Sequence, residues 1–475
     1  MLKLWGAAMA SAIIVYFCNT YWAENRRQWN MKSSERNSNA ALTNWERVGS
    51  WFVFLFFLIA ICVIRSSYFT QLVSPHYGYH SWEISEWLIN YEGGFVRRGI
   101  VGQILYAIEQ VHVFDVRIAI RLIYILSSLV ILLILYRVFK SEGWSPVLLP
   151  TGLCLGYTLF SLWGRKDFLM LALAFAIFLC YRAIITRPPG KRCGAWLLLY
   201  VLAAIQLLAH EASFFFTYPI LMLYSYRLYC RSNMSRPRCA ARALMCFLPV
   251  LVIMTAVCLF KGDKGVAQAI WASWGEVFAA YPDASGSSMM GSGVQALGWN
   301  AVSTFKYHFH SAYLGCASSS PLHVILALFV ILSAYFLLTR IDCVSMGKSR
   351  PKCLDRTLLS DVVLVQFIAL LPMFTVLSCD WGRTLPYWML SSMFFYHVFK
   401  HEAVTFPPFL TKASWAIHSL IDGNRLLRSP ATYMLLVLLT PVPNYYAPLD
   451  HANTIQQAFF AEILDFINHI TTLLA

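Results

Sequence analysis

Apolar runs of nearly membrane-crossing length recur along almost the whole chain, separated by short polar loops. Such runs lie at 51–64, 118–136, 146–163, 168–185, 195–209, 213–228, 243–260, 321–338, 358–377, 385–399 and 432–441. With their aromatic and small flanking residues they approach the roughly 20 residues a helix needs to cross a bilayer. Lipid offers no partner for backbone polar groups, so repeated single runs of this kind predict helices. The expected fold is all-α: a polytopic transmembrane helical bundle of about eleven or twelve spans. Composition agrees, because only 13% of the 475 residues are charged, against about 25% in a soluble domain.

The run at 4–21 is open to three readings: an uncleaved first helix, a signal-like segment, or residues preceding a true start at Met31. The expected organisation is an N-terminal segment over 1–47, a transmembrane helical domain over 48–443, and an outer amphipathic tail over 444–475.

The formal charge is +14, which in another chain would suggest nucleic acid. Here the basic residues form short clusters between apolar runs, the pattern of cytoplasmic loops, and nucleic acid is excluded as a partner. One cluster holds Arg182, Arg187, Lys191 and Arg192; another holds Arg227, Arg231, Arg236, Arg238 and Arg242. Arg340, Lys348, Arg350, Lys352 and Arg356 form a third, and Lys400, Lys412, Arg425 and Arg428 a fourth. All of them fall on one face if 99–113, which carries Gln103, Glu109, Gln110 and His112, is an amphipathic or re-entrant piece that does not cross. Two long loops, 66–117 and 261–320, then lie on the outer face. The second contains a Gly/Ser-rich stretch at 284–293 between Trp271, Trp274, Tyr281 and Trp299, the composition of a lid or of a plain surface loop.

The charged residues at the outer helix ends have no topogenic explanation. Glu83, Glu86 and Glu92 precede Arg97-Arg98-Gly99 in the first loop. Gly164-Arg165-Lys166-Asp167, His210-Glu211 and Cys379-Asp380-Trp381-Gly382-Arg383 stand at outer turns, and Lys261-Gly262-Asp263-Lys264 opens the second loop. A charge against an apolar span costs about 2.5–3.5 kcal/mol on insertion scales unless it is paired or faces water. Arginine presents a planar fork of donors that fits phosphate oxygens, so outer cations beside carboxylates suggest a phosphate or pyrophosphate ligand. Each motif also has a plain structural reading. Asp167 could cap a helix, Arg97 and Arg98 could reach to lipid headgroups, and His-Glu recurs at His401-Glu402 on the cytoplasmic side. The common side of the motifs carries the inference.

No Gly-rich phosphate loop, zinc signature or lipase-type serine motif is present. No motif calls for a cofactor; a divalent metal is left open, with His76, His80, His308 and His310 in the outer loops. A disulfide between Cys316 and Cys379 is a candidate on the outer side.

The architecture, a helix followed by a long outer loop with carboxylates and then many helices, resembles the GT-C class of membrane glycosyltransferases. The motifs Asn90-Tyr91-Glu92-Gly93-Gly94-Phe95-Val96-Arg97-Arg98-Gly99, Gly164-Arg165-Lys166-Asp167, His210-Glu211 and Asp380-Trp381-Gly382-Arg383 resemble those of bacterial O-antigen and capsule repeat-unit polymerases. The resemblance implies an enzyme of the bacterial cytoplasmic (inner) membrane that takes sugar from a polyprenyl phosphate or pyrophosphate at its outer, periplasmic face. Its partners would be a polyprenyl-linked oligosaccharide, membrane lipid and other polysaccharide-assembly membrane proteins. The catalytic base would come from Glu83, Glu86 and Glu92, or from Glu211 or Asp380. Arg97, Arg98, Arg165, Lys166, Asp167, His210 and Arg383 would hold the substrate and its phosphate. No aspartate directly follows the 51–64 run, which departs from the GT-C pattern. The competing readings are a flippase or transporter for a lipid-linked sugar, and a membrane transferase that adds an acyl or phosphoethanolamine group to a glycan.

Overall fold

The structure is a computed structural model. It describes residues 78–144, 148–149, 153–154, 165–232, 234–282, 288–299, 302, 306, 322–341, 353–377, 381–402, 404–427, 429–439, 441–442 and 453–454. The runs at 4–21 and 51–64, most of 146–163, Gly164, Asp380, and Cys316 with Cys379 lie outside the described residues. So do nearly all of the tail and residues 1–47.

The described residues are almost wholly helical, with one short antiparallel pairing between Pro441–Val442 and Asn453–Thr454. A single turn, α1 (Trp82–Ser85), runs into a 3-10 turn at Glu86–Leu88 and precedes α2 (Gly99–Glu109). Then come α3 (Val116–Glu142), α4 (Asp167–Thr186), α5 (Cys193–Ala209), α6 (Ser213–Cys230), α7 (Arg236–Cys246) and α8 (Leu248–Leu259). The second half contributes α9 (Lys264–Ser273), α10 (Gly275–Ala280), α11 (Leu322–Thr339), α12 (Cys353–Pro372), α13 (Trp381–Phe399), α14 (Pro408–Gly423) and α15 (Pro430–Leu439).

Three of the described helices are long and apolar enough to cross a membrane: α3, α4, and α12 with its continuation, over Leu358–Thr375. A fourth candidate is α7 with α8, bent by 65°. The sequence predicts one straight run over 243–260. It breaks instead at Phe247, because Pro249 in the first turn of α8 has no backbone N–H to continue the ladder. Pro372 similarly ends α12 in a π-helical turn at Met373–Leu377. At 11 residues α2 spans only about 16 Å, too short to cross. It buries Val101, Gly102 and Leu105 and exposes Ile104 and Ile108, which makes it the amphipathic piece expected at 99–113. One amphipathic helix was not anticipated: α14 buries Ser414, His418 and Ile421 and exposes Phe409, Trp415 and Leu420.

Local chemistry sets the ends of α3. The Asp115 side chain accepts from Arg117 N, and Gly143 closes the helix in the left-handed conformation. Along α3, Leu122, Leu126, Leu129 and Leu133 are exposed at alternating steps of four and three, an apolar stripe suited to lipid. The opposite face, with Ile120, Tyr124, Ile131 and Leu135, is buried. Inside, α4 packs against α3, α5 and α13, and α12 against α6, α13 and α14. Aromatic pairs fill these seams, including Phe178 with Phe395 at 5.5 Å and Phe216 with Tyr387 at 4.6 Å.

Ion pairs fix the relative direction of the helices. Asp167 at the start of α4 meets Arg383 near the start of α13, while Arg182 near the end of α4 meets Glu402 just beyond α13. The two helices therefore run parallel. The end of α3 lies with the latter pair, since Glu142 contacts both Lys400 and His397 at 2.6 Å. The described residues of the two long loops interlock at the Asp167 end. Trp274 Nε1 donates to Leu88 O at 2.8 Å, Asn90 Nδ2 to Ser273 Oγ at 2.8 Å, and Gly293 N to Ser85 Oγ at 2.8 Å. Ser292 and Gly293, part of the Gly/Ser stretch with the composition of a lid or surface loop, are buried against this frame.

Candidate functional site

At the end where α4 and α13 begin, four separate segments bring nine of the sequence-predicted residues into one network. Glu86 is its centre. The 3-10 turn that follows α1 buries Trp87 and Leu88 and turns the Glu86 carboxylate inward. Its Oε2 accepts from Arg165 NH1 at 2.7 Å, and its Oε1 lies 3.3 Å from His210 Nε2 and 3.5 Å from Arg98 NH1. Burial alone would raise this carboxyl. The nearby His210 ring and the positive charges of Arg165 and Arg98 outweigh it and hold the group well below the ordinary carboxylate range.

Arg98 owes its position to the backbone. It is the one non-glycine residue with positive φ among the described residues, at 66°, and it directly precedes α2. A side chain in that region stores strain, which the surrounding ion pairs must hold in place. Gly99 allows the turn: a Cβ there would fall inside the Tyr91 ring. Arg98 Nε and NH2 reach the two oxygens of Glu211 at 2.8 and 2.6 Å, and Arg97 NH1 reaches Oε1 at 3.3 Å. Burial would raise Glu211, but Arg98 and Arg97 drive it far below the usual value. His210 and Glu211 occupy the tight turn between α5 and α6. His210 Nδ1 accepts from Ala212 N at 3.2 Å, so the ring proton is on Nε2, facing Glu86. Burial and the charge of Arg98 lower the His210 pKa and keep the ring neutral near pH 7.

Asp167 and Arg383 form a second bidentate pair, with Arg383 NH2 and Nε at 2.6 and 2.9 Å from the carboxylate oxygens. Arg383 NH2 also lies 3.5 Å from His210 Nε2, so the two pairs adjoin, although with the ring proton on Nε2 this is a contact and not a hydrogen bond. Tyr387 donates to Asp167 as well. Sequence reading missed this tyrosine, although its place four residues after Arg383 puts both on one face of α13.

Lys166 departs from its expected role as a phosphate ligand. Its side chain is fully buried, and Nζ donates to three backbone carbonyls: Glu86 O at 3.1 Å, Arg98 O at 3.4 Å and Ala209 O at 3.4 Å. All three ammonium protons are thus engaged, and the residue is a tripod between segments. Burial pulls its pKa down to about 8. The acids of the first loop also separate: Glu86 is central, Glu92 is exposed and meets Gln103 at 3.5 Å, and Glu83 is half-buried on α1. His401-Glu402 reproduces the His-Glu dipeptide at the opposite end, where Glu402 makes a half-exposed pair with Arg182.

Among the described residues, five cations (Arg97, Arg98, Arg165, Lys166 and Arg383) and three carboxylates (Glu86, Asp167 and Glu211) share this network. Glu86 and Asp167 are sealed, with side chains 1% and 2% exposed. Glu211, Arg98 and Arg97 form the open edge, at 16%, 22% and 25%. Beside that edge, Phe95 and Phe260 are exposed and meet edge to face at 5.4 Å, and Arg97 N donates to Phe260 O at 3.0 Å. Exposed Leu259 precedes Phe260 at the end of α8, so cations and an apolar surface adjoin. Among the described residues, no three His, Cys, Asp or Glu side chains gather as a metal site would require. No protein-family model matches the chain, and neither a curated protein nor a solved structure matches it.

Proposed function

We infer that this chain is a glycosyltransferase of the bacterial inner membrane, acting at the outer face on a sugar carried by polyprenyl phosphate or pyrophosphate. The polytopic bundle of about eleven or twelve spans and its GT-C-like arrangement belong to the same reading. The observation that carries it is the opening of the buried network at two half-buried arginines, Arg97 and Arg98, beside the apolar edge of Phe95, Leu259 and Phe260. A lipid-linked phosphate has the complementary form, an anionic head on an apolar chain. The first N–H groups of α2 adjoin Arg98 without a side-chain cap and would add donors for the same head. Cations at a departing phosphate lower the barrier to glycosyl transfer by stabilising the charge that develops there. Repeat-unit polymerisation is the preferred form of the reaction, on the motif resemblance.

The test is extraction of lipid-linked glycan from cells whose only copy carries Arg97→Gln or Arg98→Lys. Accumulated single repeat units with normal membrane abundance of the protein are expected. Full-length polymer from both variants would overturn the reading. Arg165→Ala and Arg383→Ala are poorer probes, because each takes from a sealed carboxylate its closest cation.

A further inference from the structure

Glu211 differs from the other two carboxylates of the network in a way that suggests a role in timing. We propose that Glu211 is a built-in stand-in for the substrate phosphate: it fills the Arg97–Arg98 fork until a lipid phosphate displaces it, and the freed carboxylate then takes the proton of the acceptor hydroxyl. This rests on the glycosyltransferase reading above.

Three observations support the exchange. Arg98 grips Glu211 through Nε and NH2, the same edge of the guanidinium that holds two oxygens of a phosphate. Glu211 is at the open edge, whereas Glu86 and Asp167 are sealed behind it by Arg165, His210, Arg383 and Tyr387. Arg97 has donor capacity left over, since its buried Nε has no hydrogen-bond partner. A phosphate has more acceptor oxygens than a carboxylate and would use that donor. Glu211 follows His210 in the turn between two helices, so side-chain rotation alone can move it out of the fork.

The displacement would switch on the base. Clamped by two arginines, the carboxylate is held far below its ordinary pKa and accepts a proton poorly. Once phosphate has taken the arginines, that restraint is gone and basicity rises with substrate in place. In the transfer step the acceptor hydroxyl oxygen bonds to the anomeric carbon, and its proton passes to Glu211. The bond from that carbon to the phosphate oxygen breaks, and the electron pair leaves with the lipid phosphate against Arg97 and Arg98. Glu86 cannot serve in this way, because three cationic or proton-donating side chains hold it inside the network.

The full chain in nanodiscs, wild type and Glu211→Gln, would be titrated with polyprenyl phosphate and, separately, with inorganic pyrophosphate. Transfer would be measured with a lipid-linked sugar. Glu211→Gln is expected to bind polyprenyl phosphate on the order of tenfold more tightly, because the competing carboxylate is gone. Transfer should fall at least about 100-fold, the lower range for loss of a general base. Equal or weaker binding by the variant would overturn the stand-in role; tighter binding with wild-type transfer would overturn the role as base. Failure of wild type to bind either probe would instead remove the glycosyltransferase reading. Stronger binding of pyrophosphate than of polyprenyl phosphate would show that a free anion, and not a lipid, fits the fork. Should Glu211→Gln not fold, Glu211→Asp carries the binding test, with a carboxylate too short to fill the fork: tighter binding of polyprenyl phosphate is again expected, and equal or weaker binding would overturn the stand-in role.

Discussion

Arg383→Leu should destabilise the protein through a charge it leaves behind rather than through lost contact area. Asp167 is sealed, and Arg383 supplies two of its hydrogen bonds and its nearest full positive charge. Removing one member of a buried pair costs about 3–5 kcal/mol, because the remaining ion keeps its desolvation penalty without compensation. Unfolding entropy of about 2.1 cal/mol/K per residue amounts to roughly 1 kcal/mol/K if all 475 residues unfold together. The expected fall in Tm is then roughly 3–5 °C, and larger if only part of the chain unfolds. The assay is tryptophan fluorescence during heating in detergent. The double variant Asp167→Asn with Arg383→Leu is the essential control: it removes both charges and should recover most of the loss, since Tyr387 can still bond the amide. An unchanged Tm for Arg383→Leu, or a double variant no better than the single, would refute the argument that an ion pair organises this end of α4 and α13.

Two further outcomes follow from the same geometry. The folded-state pKa of Lys166, about 8, lies below the free lysine value of 10.5. The unfolded chain therefore binds more protons between these values, and the lysine's burial penalty, fully present below pH 8, is relieved as pH rises towards 10.5. Wild type should gain stability relative to Lys166→Met across that window in denaturation series at several pH values, and parallel curves would count against it. Gly102→Ala should harm folding more than Gly99→Ala in the same heating assay. The added methyl at 102 meets the backbone of Ile89 and Trp87, which cannot yield, whereas at 99 it meets the Tyr91 ring, which can rotate. The reverse order would mean that α2 is less closely packed than described.

The membership of the network was legible in the sequence because charged residues at helix ends leave few options in an apolar chain. The parity of the runs and the sides of the basic loops put Arg98, Arg165, His210 and Arg383 on one face, and they do meet. Their division of labour was not legible. Lys166 reads as a phosphate ligand because it is an outer cation with no topogenic explanation; only the approach of the Glu86, Arg98 and Ala209 carbonyls shows that its protons are already used. Glu83, Glu86 and Glu92 are equivalent by type, and a single 3-10 turn after α1 selects Glu86. The break at Phe247 was signalled by Pro249, but that proline sits within the apolar run 243–260, whose length suggests one straight helix. Tyr387 could have been found by pairing Arg383 with its neighbour one helical turn on. The left-handed conformation of Arg98 has no signal in residue type, since arginine carries no preference for it.

The parallel pair α4 and α13 is tied twice, at one end by Asp167 with Arg383 and at the other by Arg182 with Glu402. Phe175 with Phe394 and Phe178 with Phe395 fill the seam between the ties. Mechanically the pair is a strut: sliding one helix past the other would lengthen both ties at once, and rocking would open one of them. A cycle that exposes a site to alternate sides needs one set of helices to move against another, and this strut resists motion along that seam. The network at the Asp167 end of this strut is therefore held as a fixed anvil, and the exchange proposed for Glu211 asks only a side chain at its open edge to move.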